Sequence, residues 1–210
     1  MKGINKIFIS ATIELIKEIG ITNVSIRKIA TKTNMNSANI YYHFDNLDHL
    51  LGLASIFFIQ EYLLEVSEKV KLAKNSFEEY TIIWECFAHY AFLNPNLYRR
   101  IFFNFLTKDY NLFEEFYSYF PKYKEKLNND YLEIFMKDNI YERNKTLLKR
   151  VITDKKNIDI LNEIHLLLFK GLLEEIELTK ETSISKYKNK MKDFLILTLT
   201  PYIRKPSLAR

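Results

Sequence analysis

Turn formers and cysteine are scarce in this 210-residue chain. It has four Gly, four Pro and one Cys. So few turn residues exclude a fold of many short strands and favour long helices. The single cysteine, Cys86, excludes an internal disulfide and a cysteine-built zinc site. It reads either as a buried apolar filler or as a redox-sensing thiol. Charge of one sign is also in short supply. The formal net charge is +5, and residues 1–50 carry a surplus of only two positive charges. Affinity for an acidic partner must therefore come from where the charges sit, not from bulk charge. Long apolar runs are absent as well. Leu51–Ile59 is typical and falls far short of a bilayer span, so no membrane association is expected. Lys2 and Lys6 precede apolar residues as in a leader, but Glu14, Lys17 and Glu18 interrupt the run. A cytoplasmic location is the expectation.

What is present is helical periodicity. Ile4, Ile7, Phe8, Ala11, Leu15 and Ile19 recur on one face and predict a first helix over residues 4–19, stopped by Gly20. Ser25 is a candidate cap for a second helix, whose inward face is Ile26, Ile29, Ala30 and Thr33. Asn34 occupies the following turn, where a residue tolerant of positive φ is needed. Met35 plugs the turn, and Asn36 is placed to cap a third helix with Ile40 and Phe44 inward. Two short helices joined by a tight turn over residues 25–44 have the build of a helix-turn-helix, whose second helix enters the DNA major groove.

Beyond Asp45-Asn46, a long fourth helix is predicted from Leu47 to about Ala73. Asn75-Ser76 caps a helix over 77–93 that is apolar all round and therefore buried. Asn94-Pro95 breaks it, and a helix resumes over 97–106. Residues 111–139 are helical, aromatic and interrupted at Pro121; residues 140–156 are charged and give no clear period. Helices over about 157–179 and 184–200 close the chain. The expected fold is all-α with about nine helices. Residues 1–48 form a three-helix DNA-binding domain, and residues 49–210 a larger helical domain for effector binding and dimerisation.

The chain resembles the TetR family of transcriptional regulators, most strongly over residues 8–51. Ala11, Gly20, the SIRKIA segment at 25–30, Met35-Asn36, Ile40-Tyr41, His43-Phe44 and Leu50-Leu51 carry the resemblance, and FAHYAFLNPNLYRRIFF at 87–103 is similar to the family's fifth-to-sixth helix junction. Three positions depart from the family pattern. Asn34 and Ala38 replace common glycines. Leu47 stands where many members have a phosphate-binding lysine, which removes one cationic contact and lowers the salt slope of DNA binding by about one unit.

The resemblance implies a phosphate contact from Tyr41 and a base-reaching role for Arg27, whose guanidinium can read a guanine edge with two bonds. Lys28 lies beside it at the start of the second helix. Ser37, Ala38, Asn39 and Tyr42 form the base-reading surface: Asn can pair with adenine and Ala can touch a thymine methyl. Asn39 has a second reading, as a stabiliser of its own helix start. His43 either reaches phosphate or packs structurally.

The resemblance also implies a ligand cavity in the second domain, where seventeen aromatic residues fall within the 52 positions from Trp84 to Phe135. Trp84, Phe87, Tyr90, Phe102, Phe103, Phe116, Phe120, Tyr131 and Phe135 are its candidate wall, although aromatic residues at helical spacing are more often plain core. A four-helix dimer interface is implied for the last two helices, with Leu161, Ile164, Leu168, Gly171, Leu172, Phe194, Leu195 and Leu199 as candidates. Lys186, Lys188, Lys190 and Lys192 read as a solvated face. His89 and His165 are isolated, and no phosphate loop, G-x-S-x-G or H-E-x-x-H is present, so no catalytic, metal or cofactor site is expected. The expected partners are a double-stranded operator, a second copy of the chain and a small lipophilic effector, which together make a ligand-responsive repressor. The alternative is a DNA-bound scaffold that acts through a protein partner without a small ligand.

Overall fold

The computed structural model describes residues 2–105, 110–127, 132–136, 139–152, 154–179 and 183–203. All regular structure among them is helical. The first helix, α1 (Lys2–Ile19), buries Phe8, Ile9, Ile13 and Ile16, while Ile4 and Ile7 remain exposed. Gly20 ends it at φ 77°, in a region that side-chain-bearing residues rarely adopt. Ser25 caps α2 (Ile26–Thr33) by accepting the Lys28 N–H at 3.4 Å. Asn34 takes the left-handed turn at φ 53°. Asn36 caps α3 (Ser37–His43), its side chain accepting the Ala38 N–H at 2.9 Å. The local chemistry expected at Ser25, Asn34 and Asn36 is what forms the motif.

Asn46 caps the next helix by accepting the His49 N–H at 2.9 Å. The predicted fourth helix is two: α4 (Leu47–Ile56) and α5 (Gln60–Lys69), with a 3₁₀ turn at Phe57–Ile59 between them. Ile59 sits at φ −95°, ψ 0°, outside helical geometry. The Gln60 carboxamide donates to the Ile56 carbonyl at 2.8 Å, a side chain inserted at the break. By length and hydropathy Leu47–Leu72 qualifies as a membrane span, contrary to the reading from run length. Yet 72% of its apolar window is buried inside the chain, and the core accounts for its apolarity.

The helix α6 (Ser76–Leu93) runs through the middle of the body, capped by Asn75 and stopped at Asn94 before α7 (Pro95–Arg100). A π-turn follows at Ile101–Phe105. The aromatic stretch is more broken than predicted: α8 (Leu112–Tyr119), α9 (Pro121–Glu125) and α10 (Leu132–Phe135). The charged stretch contains α11 (Ile140–Val151), capped by Asn139. The chain closes with α12 (Ile158–Thr179) and α13 (Ile184–Leu199). The helix count among the described residues exceeds nine because α4/α5 and α8–α10 are divided and because α11 forms in the charged stretch.

One core runs continuously from Phe8 in the head to Leu199 in the body. α4 packs on α1 in the head and on α8 in the body. Its approach to α8 is close: a Cβ on Gly52 would lie 2.8 Å from Leu112 Cδ1. Three further bonds tie the head to this side of the body. Asn5 donates to the Tyr119 phenol at 2.7 Å, and Asn46 to the Tyr110 phenol at 3.0 Å. His49 Nδ1 accepts the Asp45 N–H at 3.4 Å, which leaves the proton on Nε2, 2.9 Å from Glu115 Oε2.

Candidate DNA-binding head and effector site

The caps decide what α3 can offer. Asn36 supplies the side-chain cap, so the Asn39 carboxamide is exposed and not consumed at its own helix start. Ala38 is exposed and Ser37 half-buried on the same helix. Tyr41 and Tyr42 are 60% and 80% exposed, unusual for rings of that size. Each can hold a phenol towards a polyanion while its ring rests on the helix. His43 is half-buried, with its ring 6.2 Å from Phe8 and 5.2 Å from Tyr42, which favours the packing role over the phosphate role.

The basic residues divide. Arg27 is exposed and makes no ion pair among the described residues. Lys28 folds back: its ammonium donates to the Asn23 carbonyl at 2.8 Å, so the expected DNA contact competes with a local bond. Lys32 bridges Glu14 and Glu18 of α1 at 3.1 and 2.8 Å, and the pairing raises its pKa. That pair holds α2 against α1 and keeps two carboxylates from facing a partner unopposed.

In the body, the predicted wall residues separate. Trp84, Phe87 and Phe135 line an inner cavity with Tyr62, Arg143 and Asn144, but its volume is only about 30 Å³. That holds a water or two and no drug-sized ligand. Phe102 and Phe116 are fully buried and packed ring to ring, with Phe102 4.8 Å from Phe87 and Phe116 5.0 Å from Phe120. They are core, because edge-to-face and offset contacts fill the space a ligand would need. Phe103 is half-buried under the Lys170 ammonium, 4.5 Å from its ring centre, and Phe120 is half-buried against Tyr123. Tyr131 lies outside the described residues. Tyr90 faces a different space, and its phenol donates to Glu65 at 2.7 Å.

That space is an open cleft of about 420 Å³ where α1, the α4–α5 break, the α6–α7 junction and α9 meet. Its volume is in the range of small-molecule sites. Tyr98, one of the aromatic residues open to either core or ligand wall, belongs to it, as do Lys17, Glu61, Tyr123 and Lys126, which sequence reasoning did not single out. Their signal was unavailable because they come from four separate helices.

A polar chain runs behind the inner cavity. Trp84 Nε1 and the Tyr80 phenol both reach Asn144 Oδ1, at 3.0 and 2.8 Å, and Asn144 donates to Asn162 at 2.9 Å. Tyr80 also meets His165 Nδ1 at 2.8 Å, while His165 Nε2 lies 2.7 Å from Thr198 Oγ1 on α13. Burial pushes the His165 pKa down to about 4, so the ring is neutral here. Cys86 is 2% exposed and burial raises its thiol to about 11, which favours the filler reading over a redox sensor. No cluster of three or more metal-ligating side chains occurs among the described residues.

The dimer candidates also divide. Leu161, Leu195 and Leu199 are buried in the chain's own core and offer no surface, a correction to their expected role. They face inward because α12 and α13 are apolar on two sides, and one side packs on the rest of the body. Ile164, Leu168, Gly171, Leu172 and Phe194 line a shallow open trough. Leu167, 58% exposed, lines the same trough and was not a candidate, while Leu197, 74% exposed on α13, lines a separate one with Ile196.

The architecture is a helix-turn-helix head mounted on an all-helical body, the build of DNA-binding regulators. Residues 8–53 match the family profile described as "Bacterial regulatory proteins, tetR family". The whole chain superposes on solved regulators at low identity. A TetR transcription regulator from Haloarcula marismortui gives a TM-score of 0.56 at 13% identity, covering 97% of this chain and 100% of that one. A transcriptional regulator from Rhodococcus sp. gives 0.57 at 12%, covering 96% and 99%. The transcriptional regulator FadR from Bacillus subtilis, in complex with stearoyl-CoA, gives 0.54 at 12%, covering 91% and 97%. No curated protein matches the chain. The head is thus similar to the TetR family's DNA-binding domain, and the chain as a whole shares the fold of these solved regulators.

Proposed function

We propose that the chain is a homodimeric, ligand-responsive repressor, released from its operator by a small lipophilic effector. The observation that carries the DNA-binding part is the bare outer face of α3. Ala38, Asn39, Tyr41 and Tyr42 stand exposed on a helix whose caps are already satisfied within the head. Two such helices, held by a twin, enter successive major grooves about 34–36 Å apart on one face of the duplex. The apolar outer faces of α12 and α13 are the surface offered to that twin. Effector response is supported by the ligand-sized cleft beside the helix that carries the head. It is in keeping with the FadR relative, whose structure holds stearoyl-CoA.

The second reading, a DNA-bound scaffold without a small ligand, draws support from the small size of the inner cavity, about 30 Å³. The test selects an operator from random duplexes and measures its affinity with and without a broad lipophilic panel. A tenfold loss of affinity needs about 1.4 kcal/mol of coupling, which an effector supplies only by binding the two states differently. Operator affinity unmoved by every compound sinks the ligand-responsive reading and leaves the scaffold.

A further inference from the structure

The cleft has a chemistry that the reading above leaves open. Two cations converge on it from different parts of the chain. Lys17 comes from α1 of the head, its ammonium 4.4 Å from the centre of the Phe57 ring. Lys126 follows α9 in the body. Glu61 stands in the same cleft, so its charged side chains leave one net positive charge. Among the described residues, neither Lys126 nor Glu61 has an ion-pair partner.

The fourth polar group is the Tyr98 phenol. Tyr98 is 1% exposed, and its hydroxyl is buried without a hydrogen-bond partner. A buried hydroxyl left unpaired forfeits its hydration with nothing in return, so it is a site prepared for an acceptor. Burial raises its pKa well above the ordinary value, which keeps the proton on the oxygen as a donor. The apolar part of the lining is Phe57, Phe58, Leu64 and Leu97, with Tyr123 in edge contact with Phe57 at 5.9 Å; Asn94 adds a carboxamide, while Gln60 and Tyr90 are engaged with the Ile56 carbonyl and Glu65.

We propose that this cleft binds a carboxylate-headed amphiphile, its single negative charge held between Lys17 and Lys126, an oxygen accepting from Tyr98, and its hydrocarbon laid over Phe57, Leu64 and Leu97. A monoanion neutralises the cleft, whereas a cationic amphiphile meets two lysines and an unanswered donor. The position gives the ligand a grip on the head. Lys17 belongs to the DNA-binding unit and Lys126 to the body, and Phe57 begins the 3₁₀ break between α4 and α5. An anion shared by the two lysines therefore fixes the head relative to the body across that break. The assignment rests on the ligand-responsive reading for its regulatory meaning, but not for binding itself.

The test uses the full chain with dodecanoate and dodecan-1-ol, which share a tail and differ in head charge. Isothermal titration calorimetry below micelle formation should show dodecanoate binding at least tenfold more tightly. The double variant Lys17→Gln/Lys126→Gln should remove that preference and leave dodecanol affinity unchanged, which a merely structural role would not do. Tyr98→Phe, made separately, should weaken dodecanoate at least threefold with an unchanged melting temperature. No dodecanoate binding, or a preference that survives the double variant, overturns the assignment. Operator affinity measured alongside separates the two readings. An effector that releases operator equally from the wild type and the double variant rejects this cleft and keeps the repressor. Dodecanoate that binds through the lysines without moving operator affinity keeps the cleft and rejects ligand response.

Discussion

Replacing Tyr41 by Phe removes one oxygen from a ring that is 60% exposed and forms no side-chain hydrogen bond among the described residues. The fold should not register the loss, so the melting temperature is the control and should stay within a degree or so. The effect on DNA is worked from the bond itself. A hydrogen bond to a charged group contributes about 1.5–3 kcal/mol net, and a phenol that gives up good hydration belongs at the lower end. For a dimer with two heads the loss is about 3 kcal/mol, or roughly 150-fold in affinity. Phosphate contacts carry no base information, so the loss should be equal on selected and scrambled duplexes. The neutral phenol releases no counterion, so the slope of affinity against salt should not change. Fluorescence anisotropy on both duplexes across a salt series reads all three quantities. Affinity within twofold of the wild type, or a loss confined to the selected duplex, refutes the phosphate assignment. Tyr42, at 80% exposure, is the natural comparison, and a uniform loss at Tyr42→Phe alone moves the contact one residue along.

Leu47→Lys should restore a cation at the start of α4 and steepen the salt dependence of operator binding by about one unit per head, measured by the same titration. The neutral buried His165 should make the fold acid-sensitive. Its pKa is about 4 in the folded chain against about 6.5 unfolded, so the unfolded chain takes up the proton first as pH falls. Stability should be flat in this respect above pH 6.5 and decline by about 3 kcal/mol between pH 6.5 and 4, seen by urea denaturation; His165→Gln should flatten that limb. Leu197→Glu, on the exposed face of α13, should abolish the dimer in sedimentation with the helical signal retained. Leu195→Ala, two residues away and fully buried, should instead cost about 2–5 kcal/mol of fold stability. The reverse pattern would place the inward and outward faces of α13 the wrong way round.

These contrasts show where the sequence was legible. Ser25, Asn34 and Asn36 act on backbone atoms within a few residues, so their roles follow from local chemistry. The helices at Ser76–Leu93 and Ile158–Thr179 follow from period and breakers. The break at Phe57–Ile59 does not, because no Gly or Pro marks it; the bond from Gln60 to the Ile56 carbonyl lies inside an ordinary apolar helix pattern. On α13, Leu195 and Leu197 are alike in sequence, and only the packing of α6 and α12 decides which is covered. The cleft was least legible of all. Lys17 and Tyr98 are neighbours only after four helices have met, and aromatic clustering drew attention to rings that fill space instead of enclosing it.

The close approach at Gly52 bears on how the head can move. With Leu112 pressed against a position that has no Cβ, α4 and α8 cannot slide past each other cheaply. A tilt of α4 about the break at Phe57–Ile59 would therefore have to take α8 of the body with it, and would carry α3 on the far rim. The ten residues of α4 make a radius of about 15 Å, so a tilt of roughly 10° displaces that rim by about 2.6 Å. Such a displacement is comparable to the length of one hydrogen bond, so a tilt that small is enough to take Asn39 out of reach of a base edge.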